Sequence, residues 1–177
     1  KWYFDLNKIN LLTNNYQTYF VKDVSRLIAK SFVDVAFFAT STISTTTKPV
    51  ILTFDDGYED FYVNVLPLLK QYQVKATIYI IYNSIGQTDY LTKEQIKELI
   101  DSGLVEIGSH CLDHYNLTAL TSSSAYSQIS GSKDKLEKDF SIKVKSFAYP
   151  YGAYSSSTIA MVKQAGYEAA VSILPAT

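Results

Sequence analysis

The residues in this sequence best suited to chemistry are few: its two histidines, His110 and His114, an acidic pair, Asp55-Asp56, ahead of Gly57, and the run Tyr149-Pro150-Tyr151-Gly152. Histidines four apart lie on one side of a helical turn, near enough to share one cation. A carboxylate from Asp55 or Asp56 completes three protein ligands and leaves positions for water and substrate, the pattern of a catalytic zinc site rather than a structural one. Adjacent side chains leaving a strand diverge, so one aspartate can face the metal while its neighbour faces a reacting water as general base. Spacing alone leaves the two aspartates interchangeable. Cys111, between the histidines, reads as a small buried filler rather than a soft ligand. Asp113 reads as a support for the ligands or a helix cap.

Taken singly, each cluster has an ordinary explanation: Asp-Asp-Gly and Pro-Tyr-Gly are turn compositions, and histidines also cap helices. Their placement changes the weighing. Each follows directly on a predicted strand, namely Val50 to Phe54, Leu104 to Ile107 and Ser146 to Ala148. In parallel α/β architectures the loops leaving the carboxyl ends of strands open on one face, where segments distant in sequence converge.

The elements that must position these residues are legible from Pro49 onward, where β-rich runs alternate with helical patterns. Phe61, Val65, Leu68, Leu69 and Tyr72 recur at helical spacing, with Pro67 tolerable only early in the helix or at a kink. Ala76 to Ile81 is the next strand. Thr92 with Gln95 forms a capping-box pattern, followed by the apolar face of Ile96, Leu99 and Ile100, and by Gly103 as terminator. Ser122 to Phe140 and Ser155 to Gly166 are predicted helices, and Glu168 to Ile173 a final strand. Before Pro49 the expectations are a helix near Val21 to Ser31, a β-rich run Val33 to Phe38, and a Ser/Thr-rich loop Thr40 to Thr47. The run Val33 to Phe38 brings the predicted strands to about six, fewer than the eight of a full (β/α) barrel. Residues 1–48 are expected to pack as an N-terminal segment on a domain formed by 49–177.

Composition bounds the rest. A chain of 177 residues, 47% apolar, builds one substantial core. Sixteen basic residues nearly cancel seventeen acidic ones, leaving a net charge of -1 and no field that would draw nucleic acid. No apolar run reaches the roughly 20 residues of a transmembrane helix, and Lys1 to Asn10 lacks the pattern of a signal peptide. The single cysteine excludes an internal disulfide and a thiolate cluster. Fifteen tyrosines and nine phenylalanines are compatible with sugar-stacking surfaces, though core packing accounts for most such residues.

Together the motifs resemble the polysaccharide deacetylase family, the carbohydrate esterases that share the NodB homology domain. The resemblance runs from about Pro49 to Ile173. It is carried by Thr53-Phe54-Asp55-Asp56-Gly57, by Ser109-His110-Cys111-Leu112-Asp113-His114, and by Phe147-Ala148-Tyr149-Pro150-Tyr151-Gly152. The last of these is in the style of the poly-N-acetylglucosamine deacetylase branch. The resemblance implies a distorted (β/α) barrel of about seven strands, here incomplete at its C-terminal end. It implies Asp55 as catalytic base and Asp56, His110 and His114 as ligands of a divalent metal, zinc first, with cobalt or nickel accepting the same set. The Tyr151 backbone N–H is implied as an oxyanion donor, with Tyr149, Pro150 and the Tyr151 ring at the sugar site.

The implied partner is an acetylated polysaccharide containing N-acetylglucosamine, and the implied location is extracellular or at the cell surface. Two departures from the family pattern stand out. Ala148 occupies a position where many relatives carry an arginine that orients the base. The late histidine that serves relatives as general acid has no counterpart before Thr177, where truncation is the expected reason. An O-acetyl (xylan) esterase and a catalytically silent glycan-binding module are the alternative readings.

Overall fold

The structure is a computed structural model that describes the backbone at 16–19 and 48–50 and all atoms of 51–173. The helix expected near Val21 to Ser31, the run Val33 to Phe38, the loop Thr40 to Thr47 and the packing of the first 48 residues lie outside the described residues.

Five strands, β3 (Thr53–Phe54), β4 (Ala76–Ile80), β5 (Val105–Ser109), β6 (Ser146–Ala148) and β7 (Ala169–Val171), pair in sequence order, and every pairing is parallel. A separate parallel ribbon joins β1 (Tyr16–Tyr19) to β2 (Lys48–Ile51). Four helices, α1 (Leu66–Tyr72), α2 (Lys93–Asp101), α3 (Ser122–Phe140) and α4 (Ser156–Gln164), connect or follow the strands of the larger sheet. The fold is therefore α/β. The run Val50 to Phe54, expected as one strand, is shared between the two sheets and divides at Leu52, whose carbonyl already accepts from Thr77 N–H on β4 at 2.9 Å.

Both faces of the sheet are covered, as a parallel sheet requires. Ala76, Ile78 and Ile80 of β4, Val105 and Ile107 of β5 and Phe147 of β6 join the main core with Ile96 and Leu99 of α2 and Ile129 and Leu136 of α3. The alternate residues face the other way, where Tyr79, Ala148 and Ala169 pack with Ile51 and Val171. That second face also carries buried Glu106, which accepts from Ser146 Oγ at 2.9 Å and Thr77 Oγ1 at 3.3 Å. Gly108 lies on it too, and the reason for glycine is steric: a Cβ there would stand 2.4 Å from Cδ1 of the Tyr79 ring. By the period of two, the side of the strand that carries Glu106 and Gly108 carries His110 next.

The local signals explain the helix ends. Thr92 Oγ1 accepts from Gln95 N–H at 3.2 Å and Gln95 Oε1 accepts from Thr92 N–H at 2.8 Å, so the capping box opens α2 as its sequence predicts. Thr121 caps α3 by accepting from Ser124 N–H, and Ser155 with Thr158 forms a second capping box at α4. Ahead of α1, Phe61–Val65 forms a wider π-helical turn, and Pro67 sits in the first turn of the α-helix that follows. Proline has no N–H to continue a regular ladder, and a wide turn just before it accommodates the missing donor. No described helix is long and apolar enough to cross a membrane.

Candidate active site

The carboxyl ends of β3, β5, β6 and β7 open into one cleft of about 340 Å³. Its lining includes Asp55, Asp56, His110, His114, Tyr149 and Tyr151, so the three motifs distant in sequence do converge. Pro150 is buried and is not among the lining residues.

The Asp55–Gly57 turn leaves β3 through two successive left-handed residues, Asp56 at φ 74 and Gly57 at φ 83. A Cβ on Gly57 would meet Ile80 Cδ1 at 3.0 Å, so glycine answers both the dihedral and the space. Left-handed backbone at a non-glycine residue is unfavourable, and it persists where the surrounding structure enforces it. Here the Asp56 carbonyl accepts from Ile81 N–H at 3.5 Å and the Gly57 carbonyl from Leu91 N–H at 3.0 Å.

His110 and His114 meet, but not across a helical turn, as their spacing had suggested. Residues 110–114 form an irregular loop in which Cys111 adopts φ 70. The loop keeps its shape through bonds to its neighbours: Tyr82 N–H donates to the Cys111 carbonyl at 3.1 Å, Asn83 N–H to that of Leu112 at 2.9 Å, and Leu112 N–H to that of Gln128 at 3.3 Å. Asp113 adds side-chain contacts. Its carboxylate accepts from Asn83 Nδ2 at 2.8 Å and Gln128 Nε2 at 2.9 Å, while its N–H donates to Gln128 Oε1 at 2.8 Å. Asp113 is thus a support of the histidine loop, as expected. Cys111 is fully buried in the core, where burial, aided by the Asp113 charge, pushes its thiol well above the usual range.

Three ligand atoms form a compact triangle. Asp56 Oδ1 stands 3.5 Å from His110 Nε2 and 3.6 Å from His114 Nε2, and the two imidazole nitrogens are 3.1 Å apart. A cation bound tetrahedrally with bonds of about 2.0–2.1 Å needs ligand atoms roughly 3.3–3.4 Å apart, so the donor set fits zinc in both chemistry and spacing. His110 Nδ1 lies 2.8 Å from the Ala148 carbonyl. Donation to that oxygen puts the proton on Nδ1 and turns the Nε2 lone pair toward the triangle. Burial lowers the His110 pKa against the opposing pull of Asp55 and the Ala148 carbonyl, which favours the neutral imidazole a cation needs.

Asp55 lines the same cleft but is not a corner of the triangle. Burial raises its pKa, and Asp56 adds to the rise, while His110 and His114 oppose it. The geometry thereby separates the aspartates that spacing had left interchangeable. Tyr151, at φ 58 and 62% exposed, rests its ring 4.4 Å from that of His114. Tyr149 is buried against Phe147 and Tyr154. At the position of the family's arginine, Ala148 presents only a methyl group, and no lysine or arginine lines the cleft among the described residues.

Sequence reasoning missed Ile51, Thr53, Val171, Ser172 and Ile173 in the lining. Thr53 was within reach, because an extended run puts it on the side of Asp55 two residues later. Ser172 closes the far wall by donating to the Gly152 carbonyl at 2.8 Å, a contact with no signal in composition.

Residues 42–170 match the sequence profile of the family described as polysaccharide deacetylase. The chain belongs to the polysaccharide deacetylase family. Among relatives of this deacetylase-family chain, the Bacillus subtilis protein YxkH is 35% identical over 162 residues, 92% of this chain and 54% of that protein. A poly-beta-1,6-N-acetyl-D-glucosamine N-deacetylase of Staphylococcus aureus is 31% identical over 132 residues, 67% of this chain and 46% of its own. The chain thus spans about half the length of these relatives. Among solved structures, the Streptococcus pyogenes deacetylase PplD in complex with acetate is similar at a TM-score of 0.82 and 25% identity, covering 94% of this chain and 70% of that one.

Proposed function

We propose that this member of the polysaccharide deacetylase family is a metal-dependent hydrolase that removes acetyl groups from an N-acetylglucosamine-containing polysaccharide. The observation that carries the reading is the Asp56–His110–His114 triangle with Asp55 left over beside it. A divalent cation held there, zinc by donor type with cobalt or nickel acceptable to the same set, supplies a Lewis acid for the acetyl carbonyl and makes water more acidic.

The chain's own residues do the rest. Asp55 takes the proton of the attacking water, a role that suits a carboxylate whose burial lifts its basicity. The backbone N–H of Tyr151 donates to the oxygen that becomes negative as the carbonyl carbon turns tetrahedral, a contribution of roughly 3–4 kcal/mol per donor in comparable sites. The leaving nitrogen cannot depart as an anion, so Asp55 returns the proton it took. Tyr149 and the Tyr151 ring shape the wall beside the acetyl group, with Pro150 buried behind them.

A second reading, O-acetyl ester hydrolysis, is favoured by one feature: both imidazoles of the described cleft stand in the triangle, and an alkoxide leaves with less help than a nitrogen anion. We propose further that the β1–β2 ribbon and the five-stranded sheet belong to one distorted barrel, and that the enzyme acts outside the cell or at its surface, where such glycans lie. The deciding experiment is acetate release from β-1,6-linked N-acetylglucosamine oligomers and from acetylated xylan, with Asp55→Asn as control. Acetate from the first substrate, lost in the control, supports the amidase. Acetate from xylan alone supports the esterase, and oligomer binding without acetate from either supports a silent module.

A further inference from the structure

Six large apolar or aromatic side chains are exposed among the described residues: Tyr58, Val63, Tyr115, Tyr151, Tyr154 and Ile173. All but Val63 sit on the loops that leave β3, β5, β6 and β7 at their carboxyl ends, around the mouth of the cleft. Tyr58 follows the Asp55–Gly57 turn directly, and Tyr115 follows His114 directly. Neither lines the cleft itself. Each lies within two residues of a side chain that does, Asp56 or His114.

Tyr58 is more than an exposed ring. It stacks on Tyr90 with centroids 4.8 Å apart at 28°, and the two residues form an isolated antiparallel bridge. Glu59 N–H donates to the Asp89 carbonyl at 2.8 Å, and Leu91 N–H to the Gly57 carbonyl at 3.0 Å, so the pair is fixed to the turn that carries Asp56. A backed ring held at a set distance from a metal ligand is a rigid platform, already ordered before anything binds. On the loop that leaves β5, Tyr115 is 54% exposed and its N–H donates to the Asp113 carbonyl at 2.8 Å, which ties it to the clamped histidine loop.

We infer that Tyr58, backed by Tyr90, and Tyr115 are sugar-stacking subsites beside the reacting residue, each taking an uncharged pyranose ring of the substrate chain. A pyranose ring offers an apolar C–H face to a tyrosine ring and hydroxyls to its phenol, the mixed chemistry that tyrosine serves at interfaces. The absence of lysine and arginine from the described cleft lining argues against a phosphorylated or sulfated chain. The inference rests on the deacetylase reading for the position of the reacting sugar, but its test separates the two.

The test compares wild type, Tyr58→Ala, Tyr58→Phe and Tyr115→Ala on N-acetylglucosamine, on its β-1,6-linked hexamer and on a small chromogenic acetate ester. Each alanine variant should raise KM for the hexamer about 3- to 10-fold, the worth of one aromatic contact. Turnover of the small ester should stay unchanged, and Tyr58→Phe should recover most of the loss. Hexamer affinity of the Asp55→Asn protein, measured by calorimetry, should fall by the same factor when the alanine changes are added. Equal effects on monomer and hexamer, or none on the hexamer, would overturn the subsites even if acetate release stands. Hexamer binding that depends on Tyr58 and Tyr115 without acetate release would sink the deacetylase reading and leave the subsites standing.

Discussion

If the triangle holds a cation, the cation must stabilise the fold, and His114 is the residue at which to test it. His110 is buried to 2% exposure, so its truncation would damage the core on its own account. The His114 side chain is 31% exposed, and His114→Ala removes a ligand while leaving packing nearly intact. A ligand that binds only the folded state adds RT ln(1 + [L]/Kd), about 2.7 kcal/mol when zinc is at 100 times its Kd. In a domain of this size each kcal/mol moves Tm by about 2–4 °C, so zinc added to chelator-stripped protein should raise Tm by about 5–10 °C. Removing one of three ligands should abolish that rise at the same zinc concentration while shifting the metal-free Tm by less than about 3 °C. The assay is a thermal melt with and without zinc, read beside elemental analysis of the dialysed protein. A zinc-dependent rise of equal size in His114→Ala would refute the assignment, as would no rise and no bound metal in wild type.

Four other expectations follow from the same coordinates. Asp55→Asn should lower acetate release by about 10²- to 10⁴-fold yet keep the zinc-dependent rise in Tm, because Asp55 is outside the triangle; loss of both would make it a ligand. Asp113→Ala should weaken zinc binding by about 10- to 100-fold through the loop it holds to Asn83 and Gln128, measurable by competition with a chromophoric chelator. Gly57→Ala should cost about 1–3 kcal/mol, from a φ of 83 and the Ile80 contact together, readable in urea unfolding. Asp139 is held below its usual 3.8 by hydrogen bonds from Lys93 and Tyr82, so its contribution is complete above that pH and fades as pH falls through the lower, folded value. Melting temperature should therefore drop more steeply below about pH 4 in wild type than in Asp139→Asn, and parallel acid limbs would contradict the assignment.

How far the sequence could be read depended on how local each signal was. The capping box of Thr92 and Gln95 was legible because both partners lie within one turn. The strand-end placement of Asp55, His110 and Tyr149 was legible because β-rich runs end sharply at them. The histidine loop was not. Spacing of four is satisfied equally by a helical turn and by a loop that reverses through a left-handed residue, and cysteine is not a residue that announces positive φ. What selects the loop is distant: Tyr82, Asn83 and Gln128 hold its carbonyls and amides from other elements. The tyrosines were unreadable for a related reason. Tyr149 and Tyr151 stand two residues apart in one turn motif, yet Tyr149 is buried against Phe147 and Tyr154 while Tyr151 is 62% exposed.

The acidic residue left beside the triangle also sets how far this site can go with each kind of acetyl bond. Both imidazoles stand in the triangle with Asp56, so in the described cleft the carboxyl outside it that can move a proton is Asp55. An amide demands that the proton taken from water be delivered to nitrogen before the bond breaks, which obliges one group to act first as base and then as acid at two different atoms. An ester makes no such demand, because an alkoxide is a competent leaving group. The ratio of amidase to esterase turnover therefore measures how well Asp55 reaches the leaving atom. If Asp55 does both jobs, Asp55→Asn should depress amide hydrolysis more than ester hydrolysis in the same protein. Equal losses on the two substrates would mean that the second proton comes from elsewhere and that Asp55 serves as base alone.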